Sequence, residues 1–307
     1  MQSKVRPLEA LGDIVGDGAT VALGGAWFAN HPMAAVRQLL RDGRRGLHVM
    51  SLIGSVDTDL LLGAGDDVVE RLTFSMVTLE AFGLAPNLRR RVEGGSLEIV
   101  EMTALSMEAA LDAAGRNLPF MPYPGLGSPP GSAVPGLHPD LYVEVEDPFG
   151  GPPVTLVKAL RPEVAIVHAT RADASGNAQF DGSFAIDDDL AKAADVVVVT
   201  CEEVVPTDVI AANPHATKIP GFLVDVVIEA PFGAHPTTHV PRYGLDGWQM
   251  LEYAEAALEG GPAFERYVEQ LAAEDEAAYR RRVLGDGRGA VLEELARQGR
   301  VLEGVRS

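Results

Sequence analysis

The chain has 307 residues, 47% of them hydrophobic, which is enough to bury one large core or two smaller ones. Its 44 acidic against 25 basic residues leave a net charge of −19, which argues against nucleic acid or an anionic membrane as a partner. The single Cys201 excludes an internal disulfide. No apolar run approaches the roughly 18 residues of a membrane span, and the N-terminal stretch lacks the apolar core of a signal peptide, so a cytoplasmic protein is expected.

In chain order, Leu8, Leu11, Ile14 and Val15 recur at helical spacing before Asp17-Gly18. Thr20 to Leu23 reads as a strand, residues 24–31 as the loop after it, and Pro32 as the opening of a helix carrying Met33, Val36, Leu39 and Leu40. Leu47 to Ile53, Leu72 to Val77 and Leu97 to Met102 predict further strands, and Met107, Ala110, Leu111 and Ala114 a helix. Between Pro119 and Pro153 the texture changes: the segment holds ten of the 21 prolines and shows no period. Such a stretch is expected to be a crossover or lid.

The β-branched runs Val164 to Val167 and Val196 to Val199 predict strands covered on both faces. The polar turn Ala172 to Asn177 follows the first, and Asp187 to Asp189 precede the stripe Leu190, Ala193, Ala194, as acidic residues do at a helix N-terminus. Thr207 to Ile210 and Leu223 to Glu229 read as strands. Residues 231–243 form an irregular loop with His235 and His239, and a helical stripe runs from Phe264 to Val283, followed by a last helix from Ala290 to Ala296. At least six strands alternating with helices predict an α/β fold, a doubly wound, mostly parallel sheet with C-terminal helices. We divide it as residues 1–257, with 119–153 as the proline-rich loop, and a helical extension over 258–307.

Three stretches carry the most specific signal: HATRADASGNAQF from His168, AADVVVVTCEEVV from Ala193, and GFLVDVVIEAPFGAHPTTHVPRYG from Gly221. With them the chain, from Asp17 to about Ala257, resembles the A subunit of family I CoA-transferases, nearest to the glutaconate branch. The resemblance implies the fold these enzymes share with sugar-phosphate isomerases. It also implies CoA transfer between an acyl-CoA and a carboxylic acid, by covalent catalysis through a glutamate on a separate B subunit. No second half is visible here, so a hetero-oligomer of α2β2 type or larger is expected, with a CoA thioester as substrate and no permanently bound cofactor.

Related A subunits carry a Gly-Gly loop before a helix-opening proline, and here Gly24, Gly25 and Ala26 hold those positions. The expected role is to aim backbone amides at the thioester oxygen, though two glycines serve tight turning equally well. Trp27 and Phe28 are candidates to wall an acyl pocket. Asn30 and His31 are candidates to bind a substrate carboxylate or carbonyl, or else a helix cap and a surface histidine. Gly127 and Ser128 match a segment that approaches the active site in relatives. Glu101, at a strand end, is a possible acid or base. The steroid-ring-opening hydrolases of the same fold are expected to carry an acidic residue where this chain has Ala104. The alternatives are such a hydrolase and a sugar-phosphate isomerase. No Cys/His spacing matches a metal site, and the basic runs at Arg89 to Arg91 and Arg280 to Arg282 read as solvated helix faces that could also meet CoA phosphates.

Overall fold

The computed structural model describes residues 3–123, 133–182 and 184–299. In chain order the strands are β1 (Thr20–Ala26), β2 (Leu47–Gly54), β3 (Val69–Val77), β4 (Glu98–Glu101), β5 (Phe120–Tyr123), β6 (Tyr142–Val145), β7 (Val154–Lys158), β8 (Val164–Asp173), β9 (Ala178–Gln179), β10 (Val196–Val205), β11 (Thr217–Ile219) and β12 (Val226–Glu229). The helices are α1 (Leu11–Ile14), α2 (Met33–Arg41), α3 (Val56–Gly63), α4 (Pro86–Glu93), α5 (Ala104–Gly115), α6 (Val134–Leu137), α7 (Asp187–Ala193), α8 (Thr207–Ala212), α9 (Gly247–Glu259), α10 (Gly261–Ala273), α11 (Glu276–Val283) and α12 (Arg288–Arg297).

Seven strands pair in parallel in the order β12-β10-β8-β1-β2-β3-β4. The two valine runs lie side by side as expected, in register from Val196 opposite Val164 to Val205 opposite Asp173, and are buried through their first halves. β9 and β11 extend the carboxyl end of β8 with antiparallel pairing. One face of the sheet packs against α2, α3 and the C-terminal helices through Val36, Leu39, Leu60, Tyr253, Phe264 and Tyr279. The other face packs against α5 and α7 through Met107, Leu111 and Leu190, with Tyr123 and Tyr142 beside them. These are the helices on both faces that a doubly wound sheet requires.

Several elements differ from the expectation. The proline-rich segment is not without structure: β5, β7 and β6 form a separate antiparallel sheet, with β5 at its edge where Pro122 lacks no needed donor. Thr207 to Ile210 is the start of α8, not a strand. The pairing of β10 with β8 ends at Val205, Pro206 precedes the first turn, and Val209 is exposed. The predicted strand from Leu223 begins only at Val226, after a 3₁₀ turn over Gly221–Leu223. The stripe from Phe264 to Val283 is two helices, because Asp275 caps α11 by accepting the Ala278 N–H at 2.6 Å. The boundary placed after Ala257 falls inside α9, a helix that the residue pattern did not reveal. Its Tyr253 and the Tyr279 of α11 belong to the main core, and Glu276 ties α11 to Arg37 and Arg41 of α2 at 2.8 and 2.9 Å.

Candidate active site

Strand order runs outward from β1 through β2 to β4 on one side and from β8 through β10 to β12 on the other. β1 and β8 are paired and parallel, so the order in which the chain adds strands reverses between them, and the crevice at their carboxyl ends is where an open α/β sheet binds ligands. β1 runs on through Gly24 and Gly25 to Ala26, beyond the predicted end at Leu23, and the rest of the 24–31 stretch turns back at that point.

The loop is a tight two-residue turn. Ala26 and Ala29 exchange backbone hydrogen bonds of 3.0 and 2.9 Å, with Trp27 and Phe28 at the tip. Gly25, Trp27 and Asn30 have φ of 82°, 54° and 61°, a left-handed conformation that is costly for tryptophan. Three supports hold it. Asp187, the first residue of α7, accepts the Gly25 N–H at 3.1 Å and the Ala185 N–H at 3.3 Å. His31 places Nε2 2.8 Å from the Trp27 carbonyl oxygen and Nδ1 3.0 Å from Asp57 Oδ2, close enough for an ion pair although outside hydrogen-bond geometry. The loop over 231–243 adds the third: Asn30 N–H donates to the Thr238 carbonyl at 2.9 Å, and Thr238 N–H to that of Phe28 at 2.6 Å.

Burial alone would lower the His31 pKa, but the Asp57 carboxylate outweighs it and raises the value above the ordinary histidine range. Burial pushes Asp57 the other way, and the attraction of His31 with the backbone N–H groups of Ser55 and Thr58 more than offsets that, leaving it low. Asp187 is raised by burial despite the N–H groups it accepts. Above the turn lies a recess of about 480 Å³ walled by Trp27, Phe28, Phe184 and Val240. Trp27 is 56% exposed there.

These positions revise the expected roles. Gly24 and Gly25 do allow a close approach, since a Cβ on Gly24 would sit 2.4 Å from Asp187 Oδ1. Yet the Gly25 N–H is engaged by Asp187 and the Ala26 N–H by Ala29, so neither is free to meet a thioester oxygen. His31 is fully buried beneath the loop and supports it, rather than being a surface histidine. Asn30 is also buried. Glu101 aligns with Phe74, Ser51 and Leu23 across the sheet, which puts it three strands from β1, roughly 14 Å at about 4.8 Å per strand. It is exposed on the edge strand and lines no part of the recess. Gly127 and Ser128 lie outside the described residues. Cys201 and His168 belong to opposite sheet faces, because His168 faces Thr200 in register and Cys201 is the next residue along. Burial and Glu229 push the Cys201 thiol up to about 12. Arg91 is no solvated side chain. It is buried and donates to the carbonyls of Leu62, Asp66, Val69 and Ser96.

A second cluster, unmarked in the sequence, anchors the 231–243 loop behind the recess. Glu202, nearly buried at the end of β10, accepts from Tyr243 OH at 2.7 Å, Phe232 N–H at 2.8 Å and Gly233 N–H at 3.2 Å. His168 Nε2 lies 2.7 Å from the same carboxylate. Burial raises the Glu202 pKa, but His168 and the other donors outweigh it and hold it at about 2. His239 packs edge-on against His168 at 4.9 Å, with Nε2 3.1 Å from Thr170 Oγ1. His235 lies between Asp246 at 2.9 Å and Tyr279 at 2.8 Å, so neither loop histidine is arranged as a metal ligand.

Burial, with His168 next to it, pushes His239 down to about 3. A histidine whose folded pKa is depressed contributes stability that is present above its unfolded value, near 6.5, and is lost as pH falls toward 3. His31, with a raised pKa, has the opposite sign: its contribution is complete below 6.5 and fades above its folded value. At pH 5 unfolding should therefore take up about one proton on account of His239 alone. Replacing His239 with Asn is expected to remove that proton from the pH-dependence of the urea-unfolding free energy between pH 4 and 6, and an unchanged slope would show that His239 is not held neutral.

The family model for coenzyme A transferase matches residues 6–230. The chain belongs to the coenzyme A transferase family. The crystal structure of glutaconate coenzyme A-transferase from Acidaminococcus fermentans superposes with a TM-score of 0.87, at 28% identity, over 94% of this chain and 95% of that one. In sequence, the A subunit of the glutaconate CoA-transferase from the same organism is 30% identical over 257 residues, 80% of each chain. The cholesterol ring-cleaving hydrolase IpdA subunit of Mycobacterium tuberculosis is 34% identical over 250 residues, 78% of this chain and 83% of that protein. An uncharacterized protein of Archaeoglobus fulgidus is 37% identical over 271 residues, and there the matched region spans 85% of this chain but 58% of the longer relative. As a CoA-transferase family member, the chain builds its crevice where β1 meets β8. Among the described residues no helix is long and apolar enough to cross a membrane.

Proposed function

We propose that this chain is the A subunit of a heteromeric CoA-transferase that moves CoA between a carboxylic acid and an acyl-CoA. The observation that carries the reading is that the recess at the β1–β8 switch point presents no carboxylate or thiol among its described lining residues. Asp187, whose carboxylate supports the turn, is buried and committed to Gly25 and Ala185. A covalent nucleophile would then come from a second chain, as in two-subunit CoA-transferases. Its glutamate would attack the thioester carbonyl, breaking the C–S bond and releasing CoA thiolate as the acyl-glutamyl anhydride forms. The thiolate would attack the glutamyl carbonyl and release the first carboxylate, and the second acid would reverse both steps. No electrons enter or leave. This chain would supply the loop and the acyl recess, with the CoA thioester as substrate and no resident cofactor, in the cytoplasm and in an α2β2 or larger assembly.

The hydrolase reading needs a carboxylate where this chain has Ala104, the first residue of α5, and Glu101 three residues earlier is not in the wall of the recess beside β1. The deciding experiment is co-purification with a B subunit, then acyl-CoA treatment with borohydride or hydroxylamine trapping and mass spectrometry. A modified glutamate on the partner, and none on this chain, is expected. A complex that consumes acyl-CoA without ever forming the adduct would sink the transferase mechanism and favour hydrolysis.

A further inference from the structure

We infer that the backbone N–H of Phe28 is the donor this chain offers to the thioester oxygen, and that His31 is the positioning residue that aims it. This rests on the CoA-transferase reading and names which atom of the loop does the work. Of the turn's amides, those of Gly25, Ala26, Ala29 and Asn30 are all engaged by acceptors within the chain. The Phe28 N–H has no acceptor among the described residues. Its direction follows from stereochemistry. The only cis peptides among the described residues precede Pro236 and Pro241, so the Trp27–Phe28 peptide is trans and its N–H points opposite to its carbonyl. That carbonyl is drawn to Nε2 of the fully buried His31, 2.8 Å away. The N–H is therefore turned away from His31, and both residues of this peptide belong to the wall of the recess. The Trp27 N–H lacks such control, because its peptide carbonyl is turned across the hairpin to the Ala29 N–H rather than to a buried side chain.

Two further features fit a working amide. Trp27 keeps its left-handed φ of 54°, a strained state that persists where surrounding structure imposes it and that clusters at functional sites. His31 is paired with Asp57 at 3.0 Å, and an imidazole–carbonyl bond polarises the peptide and strengthens its N–H as a donor. In the reaction, addition of the nucleophile moves the carbonyl π electrons onto oxygen, which accepts the hydrogen bond without taking the proton. When the intermediate collapses, that pair re-forms the C=O bond and the C–S bond breaks.

The test compares two double variants in the complex with the B subunit, both without the buried ion pair. His31→Gln/Asp57→Asn keeps an N–H at the place of ring Nε2, and His31→Leu/Asp57→Asn removes it. The leucine variant is expected to show a kcat about 10²-fold to 10³-fold below the glutamine variant, the usual loss for one oxyanion donor, with KM for acyl-CoA unchanged. Equal kcat values, or a change in KM alone, would overturn the inference. Should either variant fail to assemble, infrared spectra of a carbonyl-¹³C acyl-CoA bound to the complex decide, with the B-subunit glutamate replaced by alanine. A C=O stretch shifted to lower frequency than in solution is expected, and an unshifted band overturns the inference. A wild-type complex that exchanges no CoA overturns the CoA-transferase reading and this inference with it. Exchange with equal double variants removes only the inference.

Discussion

Replacing Glu202 with alanine should destabilise the chain by about 3–5 kcal/mol, the range found when one partner of a buried, hydrogen-bonded charged group is removed. The carboxylate accepts from Tyr243, Phe232 and Gly233 and lies against His168, and alanine leaves all of these without a partner in a site water barely reaches. The damage would not stay local. Gly233 accepts the Ala34 N–H at 2.8 Å, which ties the 231–243 loop to the start of α2, and Thr238 brackets the Trp27–Phe28 turn. Glu202→Gln should cost less, because its amide oxygen can still accept from Tyr243 while its NH₂ faces the Phe232 N–H. The sign with pH is fixed. A carboxylate held at about 2 contributes stability above its unfolded value near 4.5 and loses it as pH falls from there toward 2, so the wild type and Glu202→Ala should converge in acid. Urea unfolding at pH 7 and pH 3 measures both. A difference under 1 kcal/mol at pH 7 would mean that the cluster is not what holds the loop.

The fold was legible where one element determined its own neighbours. The valine runs of β8 and β10 are too apolar for a half-exposed strand, and each is indeed flanked by parallel strands. Gly24-Gly25 followed by Pro32 located the turn and the start of α2 from local chemistry alone. What stayed hidden depends on distant partners. β5 and β7 carry no clear alternation because Pro122 breaks the pattern, and an edge strand tolerates that only once the sheet exists. Thr207 to Ile210 has strand-like residues, but β propensity reports fit to a pleated surface, and the pairing of β10 with β8 ends at Val205.

The site divides in the same way. Its place at the β1 loop was readable, whereas the identity of the engaged amides was not. Asp187 reads as a helix-capping acid among three, and nothing local says that its carboxylate reaches a glycine 162 positions earlier. The lack of a side chain at Gly24 is the matching mark, since the space a Cβ would need is filled by that carboxylate. Asp57 and Glu202 carry no motif either. Each is an acidic residue in or beside an apolar run, and that is the one signal by which a buried, partnered carboxylate could have been suspected.

Gly25→Ala should slow CoA exchange by at least about 10²-fold, the scale on which misplacing a reacting group by an ångström reduces rate. A methyl at this position would meet backbone on three sides: the Ala29 carbonyl oxygen at 2.6 Å, the His31 nitrogen at 2.7 Å and the Asn30 carbonyl carbon at 2.8 Å. None of these is the movable end of a side chain. Relief requires opening the Ala26–Ala29 hydrogen bonds or shifting His31, and either motion rotates the Trp27–Phe28 peptide. The φ of 82° adds the ordinary left-handed penalty of about 1–2 kcal/mol for a residue with a Cβ. Gly24→Ala makes a useful contrast. Its methyl would press on Asp187 Oδ1 and, at 2.9 Å, on Val167 Cγ1, both side-chain atoms, so relief displaces one of the turn's three supports and not the turn's own backbone. The order expected in exchange assays on the complex is wild type, then Gly24→Ala, then Gly25→Ala, with binding to the B subunit retained in all three. If Gly25→Ala exchanged CoA as fast as Gly24→Ala, the conformation of the turn would not matter to the chemistry, and the catalytic role assigned to this loop would fall.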